Sequence, residues 1–205
     1  MKRLGVFGLV IVLAGLLAWV LFFWHPEGGG HATLETPPMD IAQAPRGGDF
    51  VLNSYRGAVD LADLRGKVVV LYFGYTWCPD VCPTSLGMLS VALEQLSPDE
   101  QEQVQVLFIS VDPERDSLQH LKEYGEYFHS RILGVTGSHE ELGRVAALYG
   151  AAYRHTDKKS ETDYVVDHSA DLYVIDRQGA LDTTLRHGTQ PQQILSALRS
   201  LLQNN

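Results

Sequence analysis

The stretch VVVLYFGYTWCPDVCPTSL, residues Val68–Leu86, decides the fold. It opens with the apolar run Val68–Tyr75, and a continuous run of this kind is typical of a strand buried on both faces of a parallel sheet. A helical pattern follows, with Leu86, Leu89 and Leu93 on one side. The stretch therefore predicts a strand, a turn and a helix, with the turn at the carboxyl edge of the sheet, where α/β proteins place their functional sites.

Both cysteines of the chain, Cys78 and Cys82, lie in the turn between this strand and this helix. On a helix, the Cys-x3-Cys spacing puts them about 6 Å apart on one face, so the pair can close a disulfide or grip one metal ion. Pro83 suits the first turn of a helix, so we expect the regular helix to begin near Cys82. The helix dipole there stabilises thiolates. The alternative is that both residues are small buried hydrophobes.

Three motifs, in this order along the chain, resemble the SCO/SenC family of copper-handling proteins of cytochrome c oxidase assembly. They are GYTWCPDVCP at Gly74–Pro83, SVDPERD at Ser110–Asp116 and DYVVDHSA at Asp163–Ala170. The resemblance runs from about Ala44 to Leu202. It implies a thioredoxin-like α/β fold, with a central mixed sheet flanked by helices. Ordinary thioredoxins carry Cys-x2-Cys, so the extra residue here argues against plain membership of that group.

The resemblance also implies a third metal ligand, His168, which completes a copper site with Cys78 and Cys82. Two thiolates and an imidazole suit soft Cu(I) and can also hold Cu(II). A lone histidine near a strand end is otherwise a surface or hydrogen-bonding residue. The remaining histidines of the domain match no metal position in the motifs and are interpreted as surface residues: His120, His129, His139, His155 and His187.

Three carboxylates are weaker candidates around this site. Asp112 is expected beside the cysteine turn if the two central strands are neighbours, where it orients His168 or acts on the copper site through its charge. Asp80 and Asp167 are expected to face solvent or to cap their turns. The aromatic residues Tyr75 and Trp77 are interpreted as packing residues, and shielding of the sulfurs is the alternative.

The N-terminus predicts a membrane anchor. Leu4–Trp24 contains 21 residues without a charge, enough to cross a hydrocarbon core about 30 Å thick. The alternative is a cleaved signal peptide, but there is no clear small-x-small cleavage site near Trp24. Lys2 and Arg3 favour the cytoplasmic side, which puts the rest of the chain across the membrane. Because an Arg- and Ser-rich mitochondrial presequence is absent, we expect a single-pass protein of the bacterial inner membrane with its soluble domain in the periplasm.

The chain thus divides into an anchor at 1–24, a flexible Gly- and Pro-rich linker at 25–44 and one thioredoxin-like domain at 45–205. His25 and His31 of the linker are isolated, and we assign them no metal. The net charge of −9 shows no basic footprint for nucleic acid.

Alternating patterns predict the remaining elements of the domain. After the opening hairpin at Asp49–Asn53 and Ala58–Asp60 come helices at Thr84–Leu96, Ser117–His129, Ser138–Tyr149 and Pro191–Leu202. The further strands are Val104–Val111, a short edge strand at Arg131–Gly134, and the hairpin of Ala170–Ile175 and Ala180–Leu185. The polar stretch Gly150–Asp163 is interpreted as an exposed loop or hairpin.

Three functions are considered for the cysteine pair. The resemblance implies a copper chaperone, without bond-making catalysis, that delivers copper to the dinuclear copper centre of cytochrome c oxidase. Its partners would be the oxidase copper-site subunit, an upstream copper donor and, in an oxidising periplasm, a thiol reductant. The second function is a thiol–disulfide oxidoreductase that reduces the cysteines of that oxidase subunit through Cys78 and Cys82. The third, a thiol peroxidase, expects a Thr-x-x-Cys context that is absent around Cys78. His168 is needed only by the first.

Overall fold

The structure is a computed structural model that describes residues 16, 17, 19, 45, 47–156, 160 and 164–203. The chain forms two units, Met1–Ile41 and Ala42–Asn205. In the first unit the three described residues are helical. Among the described residues, none of the helices combines the length and the apolar character that crossing a bilayer requires. The rest of the predicted anchor, and the linker 25–44, lie outside the described residues, so both stay predictions.

Strands and helices alternate through the second unit. The strands are β1 (Val51–Ser54), β2 (Gly57–Asp60), β3 (Val68–Gly74), β4 (Val104–Ser110), β5 (Ile132–Thr136), β6 (Tyr153–Thr156), β7 (Val165–His168), β8 (Leu172–Ile175) and β9 (Leu181–Leu185). The helices are α1 (Val81–Glu94), α2 (Pro98–Glu102), α3 (Leu118–Phe128), α4 (His139–Tyr149) and α5 (Pro191–Gln203). A 3-10 turn, Leu61–Leu64, leads into β3.

Seven strands form the central sheet, in the order β2-β1-β5-β4-β3-β8-β9. Its centre is parallel: β3 pairs with β4 in a register that runs from Val68 opposite Val104 to Gly74 opposite Ser110. All seven residues of β3 are buried, as its apolar sequence predicts for a strand covered on both faces. The flanking strands β1, β8 and β9 are antiparallel to their neighbours, which confirms the predicted mixed sheet.

The prediction that the short strand at Arg131–Gly134 forms an edge of the sheet is wrong. β5 lies between β4 and β1, because the opening hairpin pairs with its end through Asn53 opposite Thr136 and Ser54 opposite Val135. The sequence analysis also does not predict the helix α2. This short helix begins after Ser97, whose side chain and that of Glu100 satisfy each other's backbone N–H groups in a capping box.

The polar stretch after α4 belongs to a hairpin that stands apart from the central sheet. Among the described residues β6 pairs with β7 and with no other strand, in a register that sets Tyr153 opposite His168 and His155 opposite Val166. The hairpin therefore extends past the predicted limit of 163. His168 is the last residue of β7 rather than the residue before the strand β8.

Candidate metal centre

The turn between β3 and α1 positions the two cysteines. The Cys78 N–H donates to the Tyr75 carbonyl at 3.2 Å, which closes the chain into a turn after the strand. Helix α1 begins at Val81, one residue before the predicted start, so Cys82 lies in its first turn. Both thiols are free and buried, with Cys78 8% and Cys82 0% exposed. Both cysteines lie at the N-terminus of α1, as the sequence predicts.

Because Gly74 has no side chain, it leaves room for the sulfur of Cys82. A Cβ placed on Gly74 would lie 2.6 Å from Cys82 Sγ and 3.0 Å from Phe108 Cε2. Real Cβ atoms do not approach a sulfur this closely, so only glycine fits between the end of β3 and the first turn of α1. The strand and the cysteine are therefore in direct backbone-to-sulfur contact.

His168 closes the site from the β6–β7 hairpin. Its Nε2 lies 3.4 Å from Cys82 Sγ, and its Nδ1 lies 3.1 Å from the carbonyl oxygen of Ser169. A carbonyl can only accept, so Nδ1 donates to it, while Nε2 faces the sulfur and can donate to it when the ring is protonated or bind a metal when the ring is neutral. One donor atom from each of Cys78, Cys82 and His168 lies within 4.8 Å of the others. The structure thus brings together the three residues that the resemblance named as ligands.

Aromatic rings enclose the imidazole. Tyr72 and Tyr75 both pack edge-to-face against His168, with ring centroids 6.2 and 5.8 Å away. Tyr72 is fully buried, and its hydroxyl donates to the Val81 carbonyl at the start of α1 at 3.3 Å. These rings fix the orientation of the imidazole and keep water from the inner side of the site, which strengthens electrostatic interactions there.

The two thiols differ in acidity. A hydrogen bond from Cys82 lowers the pKa of the Cys78 thiol, and contacts with His168 and nearby backbone N–H groups add to that effect against burial. Burial raises the pKa of the Cys82 thiol, and the neighbouring Cys78 raises it further. Burial alone would lower the pKa of His168, but Cys78 and the Ser169 carbonyl outweigh it and raise the pKa. In the reduced protein Cys78 is therefore the thiolate and Cys82 retains its proton.

A buried carboxylate that the sequence analysis did not single out holds the cysteine turn. Asp116 is 1% exposed and accepts three hydrogen bonds: from the Thr76 N–H at 3.0 Å, from the Thr76 hydroxyl at 2.6 Å and from the Ser110 hydroxyl at 2.6 Å. It thereby joins the turn after β4 to the turn after β3. The signal was present in the motif Ser110–Asp116, but the motif does not say which of its carboxylates faces the cysteines.

One of the two roles predicted for Asp112, orienting His168, requires a contact between the two side chains. Asp112 does not make this contact. Its carboxylate is wholly buried, accepts from the Tyr164 hydroxyl at 2.5 Å and pairs with Arg115 Nε at 2.5 Å. The Arg115 guanidinium also lies 3.7 Å from the Tyr164 ring centroid and donates to the Tyr164 carbonyl at 3.0 Å. Asp112 therefore fastens the base of β7 to the turn after β4. Ser169 orients the imidazole because its carbonyl lies next to His168 in the chain.

The other predicted residues lie around the site without donor atoms in it. Asp80 is exposed and precedes α1, and Asp167 is exposed and pairs with Arg154 at 3.0 Å. Tyr75 is buried as expected, whereas Trp77 is 63% exposed and lies beside His120, with ring centroids 6.5 Å apart. His187 contacts the Ser85 hydroxyl at 2.9 Å.

Known proteins resemble this chain over almost all of its second unit. A model of the SCO1/SenC family matches residues 39–203. The Bos taurus "Protein SCO2 homolog, mitochondrial" is 40% identical over 154 residues, which cover 74% of this chain and 58% of the bovine protein. The chain thus spans less than two thirds of the length of this curated relative.

Two solved structures share the fold. Bradyrhizobium japonicum ScoI with copper bound has a TM-score of 0.69 and 35% identity, over 76% of this chain and 98% of that one. Yeast Sco1 with copper bound has a TM-score of 0.71 and 33% identity, over 79% of this chain and 91% of that one. These likenesses confirm the predicted thioredoxin-like fold with its mixed sheet and flanking helices.

Proposed function

Because the chain belongs to the SCO1/SenC family, we propose that it binds copper through Cys78, Cys82 and His168 and delivers it to the dinuclear copper centre of cytochrome c oxidase. The observation that carries the proposal is the meeting of these three donor atoms within 4.8 Å, with His168 Nε2 facing a sulfur. Two relatives of the same fold were solved with copper bound, which supports copper as the cargo.

The acidities of the two thiols suit copper uptake. Cys78 is already a thiolate and is the less deeply buried of the pair, so it is the donor that an incoming Cu(I) ion meets first. Cys82 loses its proton when the metal replaces it, so binding releases protons and weakens as the pH falls. Copper would leave by exchange of these ligands for those of the receiving protein, without bond-making catalysis.

The proposal includes the setting of the protein. The charge-free segment Leu4–Trp24 would anchor it in a bacterial inner membrane with the copper site in the periplasm. That compartment is oxidising, so a thiol reductant would have to keep Cys78 and Cys82 in the dithiol form that binds metal. An upstream protein would supply the copper.

A thiol–disulfide oxidoreductase is the second candidate, and the contrast between the two thiols favours it. A thiolate at Cys78 can attack a disulfide of the oxidase subunit and form a mixed disulfide, which Cys82 then resolves. The partner's disulfide gains two electrons and becomes two thiols, while Cys78 and Cys82 lose two electrons and become a disulfide. Nothing in this cycle uses His168.

Copper titration of the full-length chain tests the first candidate. The protein is purified in mild detergent, reduced under anaerobic conditions and titrated with Cu(I) against a competing chelator. We expect one copper per chain, and a loss of at least about tenfold in affinity (~1.4 kcal/mol) in His168→Ala. The matched control is His120→Ala, since His120 is an exposed histidine outside the site.

The same variant separates the two candidates in cells. In a strain that lacks the protein, His168→Ala should fail to restore oxidase activity if copper delivery is the function, and should restore it if reduction of thiols is. Equal copper affinity in His168→Ala and the parent would refute the three-ligand site. The Cys78–Cys82 pair would then be a redox couple, and its reduction potential would be the quantity to measure.

A further inference from the structure

A second group of metal-binding side chains lies outside the cysteine site. Glu114 follows β4, His139 is the first residue of α4, and His155 lies on β6. We propose that these three residues bind a divalent transition-metal ion of borderline softness, such as Zn²⁺, and that this ion fastens the β6–β7 hairpin to the body of the domain.

The distances between the side chains carry the proposal. His139 Nε2 lies 2.5 Å from Glu114 Oε1, and the donor atoms of Asp112, Glu114 and His155 lie within 4.8 Å of one another. The rings of His139 and His155 are 6.0 Å apart at an interplanar angle of 84°. Around one tetrahedral zinc ion, with Zn–N distances of about 2.0–2.1 Å, two imidazole centroids lie roughly 5 Å apart. Both histidines can therefore reach the same ion once their exposed side chains rotate to bring the rings about 1 Å closer.

The exposure of the group suits a site that metal enters from solvent. The side chains of His139 and Glu114 are 53% and 51% exposed, and His155 is exposed as well. Rotation of these side chains can bring the donors to the ~3.3 Å spacing of ligands around one tetrahedral ion. The fourth position stays open to water.

The donor set differs in kind from the cysteine site. Two imidazoles and a carboxylate prefer Zn²⁺ or Cu²⁺, whereas two thiolates and an imidazole prefer Cu⁺. The single negative charge of Glu114 offsets part of the charge of a divalent ion. Asp112 lies behind the group and keeps its own partners, since Arg115 balances its charge and the Tyr164 hydroxyl donates to it.

The three ligands come from three separate elements, which gives the ion a structural effect. Only His155 belongs to the hairpin, and it lies two residues from Tyr153, which is paired with His168. A two-stranded hairpin alone is marginally stable in water. An ion shared by His155, Glu114 and His139 ties β6 to the turn after β4 and to the start of α4, and so restrains the hairpin that carries His168.

Zinc titration of a variant that lacks the cysteine site tests the proposed zinc site. The full-length chain carrying Cys78→Ser and Cys82→Ser is titrated calorimetrically with Zn²⁺. We expect one zinc per chain at micromolar affinity, weakened at least tenfold by His155→Ala and by Glu114→Gln, and unchanged by His120→Ala. Substitution of Co²⁺ should give the intense visible bands of a tetrahedral ion, and His155→Ala should abolish them.

Two outcomes would overturn the site. One is the absence of stoichiometric binding, which would make the Glu114–His139 contact an ordinary surface ion pair. The other is binding that His155→Ala and Glu114→Gln leave unchanged. Thermal unfolding of each variant without metal confirms that it is folded, and because all three side chains are exposed we expect small changes.

Amide hydrogen exchange tests the structural effect separately. Zinc should slow exchange at the hairpin residues 153–156 and 165–168 in the thiol-free protein, and should have no such effect in the His155→Ala variant. Unchanged exchange on saturation with zinc would refute the fastening of the hairpin. Because the cysteines are absent from this protein, the result does not depend on copper binding at the first site.

Discussion

Replacing Gly74 by alanine should distort the proposed copper site, because the new methyl group would press on Cys82 from the end of β3. The added Cβ would lie 2.6 Å from Cys82 Sγ, 3.0 Å from Phe108 Cε2 and 3.2 Å from Tyr72 Cε1. All three neighbours are 0% exposed, so none can move into solvent. Gly74 does not have a positive φ, so the strain comes from packing alone.

The size of the effect follows from these contacts. Forcing one extra methyl group into a packed core costs about 1–3 kcal/mol, and the sulfur must retreat by roughly 1 Å to reach ordinary contact distance. A displacement of that size moves Sγ relative to His168 Nε2, now 3.4 Å away. We therefore expect Gly74→Ala to unfold at lower denaturant and to bind Cu(I) at least about tenfold more weakly.

Gly87→Ala is the matched control, since it makes the same chemical change on the neighbouring helix. Gly87 lies within α1, and a Cβ there meets nothing within 4 Å. Alanine favours a helix over glycine by about 0.5–1 kcal/mol, so this variant should be slightly more stable with unchanged copper affinity. The measurements are urea unfolding of the reduced protein and Cu(I) competition. If both variants behave alike, the close contact between Gly74 and Cys82 is not a real constraint.

Two further predictions concern the turn and its thiolate. Asp116→Ala removes the acceptor of three hydrogen bonds and leaves donors of Thr76 and the buried Ser110 unpaired. It should therefore lower the free energy of unfolding, measured in urea, by about 2–4 kcal/mol. A loss below ~0.5 kcal/mol would contradict a structural role for these hydrogen bonds. In the reduced, metal-free protein, iodoacetamide should modify Cys78 at a rate nearly constant from pH 9 down to pH 6, since its pKa is lowered. An ordinary thiol slows about tenfold per pH unit below its pKa of ~8.5, and that behaviour at Cys78 would contradict the shift.

The sequence predicts the part of the site that local pattern controls. A buried apolar strand, a turn with two cysteines and an amphipathic helix are encoded in one continuous stretch, and their order puts Cys78 and Cys82 at the edge of a parallel sheet. The adjacent strand β4 brings its own turn to the same edge, as expected for neighbours in such a sheet. The hydrophobic periodicity of the sequence, together with the rule that functional sites lie at the carboxyl edge of a parallel sheet, is enough to predict these elements.

The features that the sequence analysis does not predict correctly depend on contacts between residues far apart in the chain. The edge prediction for β5 fails because nothing in its own residues indicates that the distant hairpin β1–β2 pairs beside it. The motif alone suggests Asp112 as the orienting partner of His168, yet Tyr164 and Arg115 hold this carboxylate. Two aspartates four residues apart in one motif have different tasks here, and only the three-dimensional arrangement shows which of them faces the cysteines.

The three proposed copper ligands are held with unequal rigidity, and this inequality bears on how the proposed release of copper would proceed. Cys82 is fully buried in the first turn of α1 and rests on the backbone of Gly74, so it can move only if the strand or the helix moves. His168 is half-buried at the end of a two-stranded hairpin, where local opening costs less free energy. A ligand exchange that begins at His168 or Cys78 therefore leaves the core intact, whereas one that begins at Cys82 does not. If the protein delivers copper as proposed, we therefore expect Cys82 to be the last protein ligand to leave the ion and restraint of the hairpin to slow the transfer.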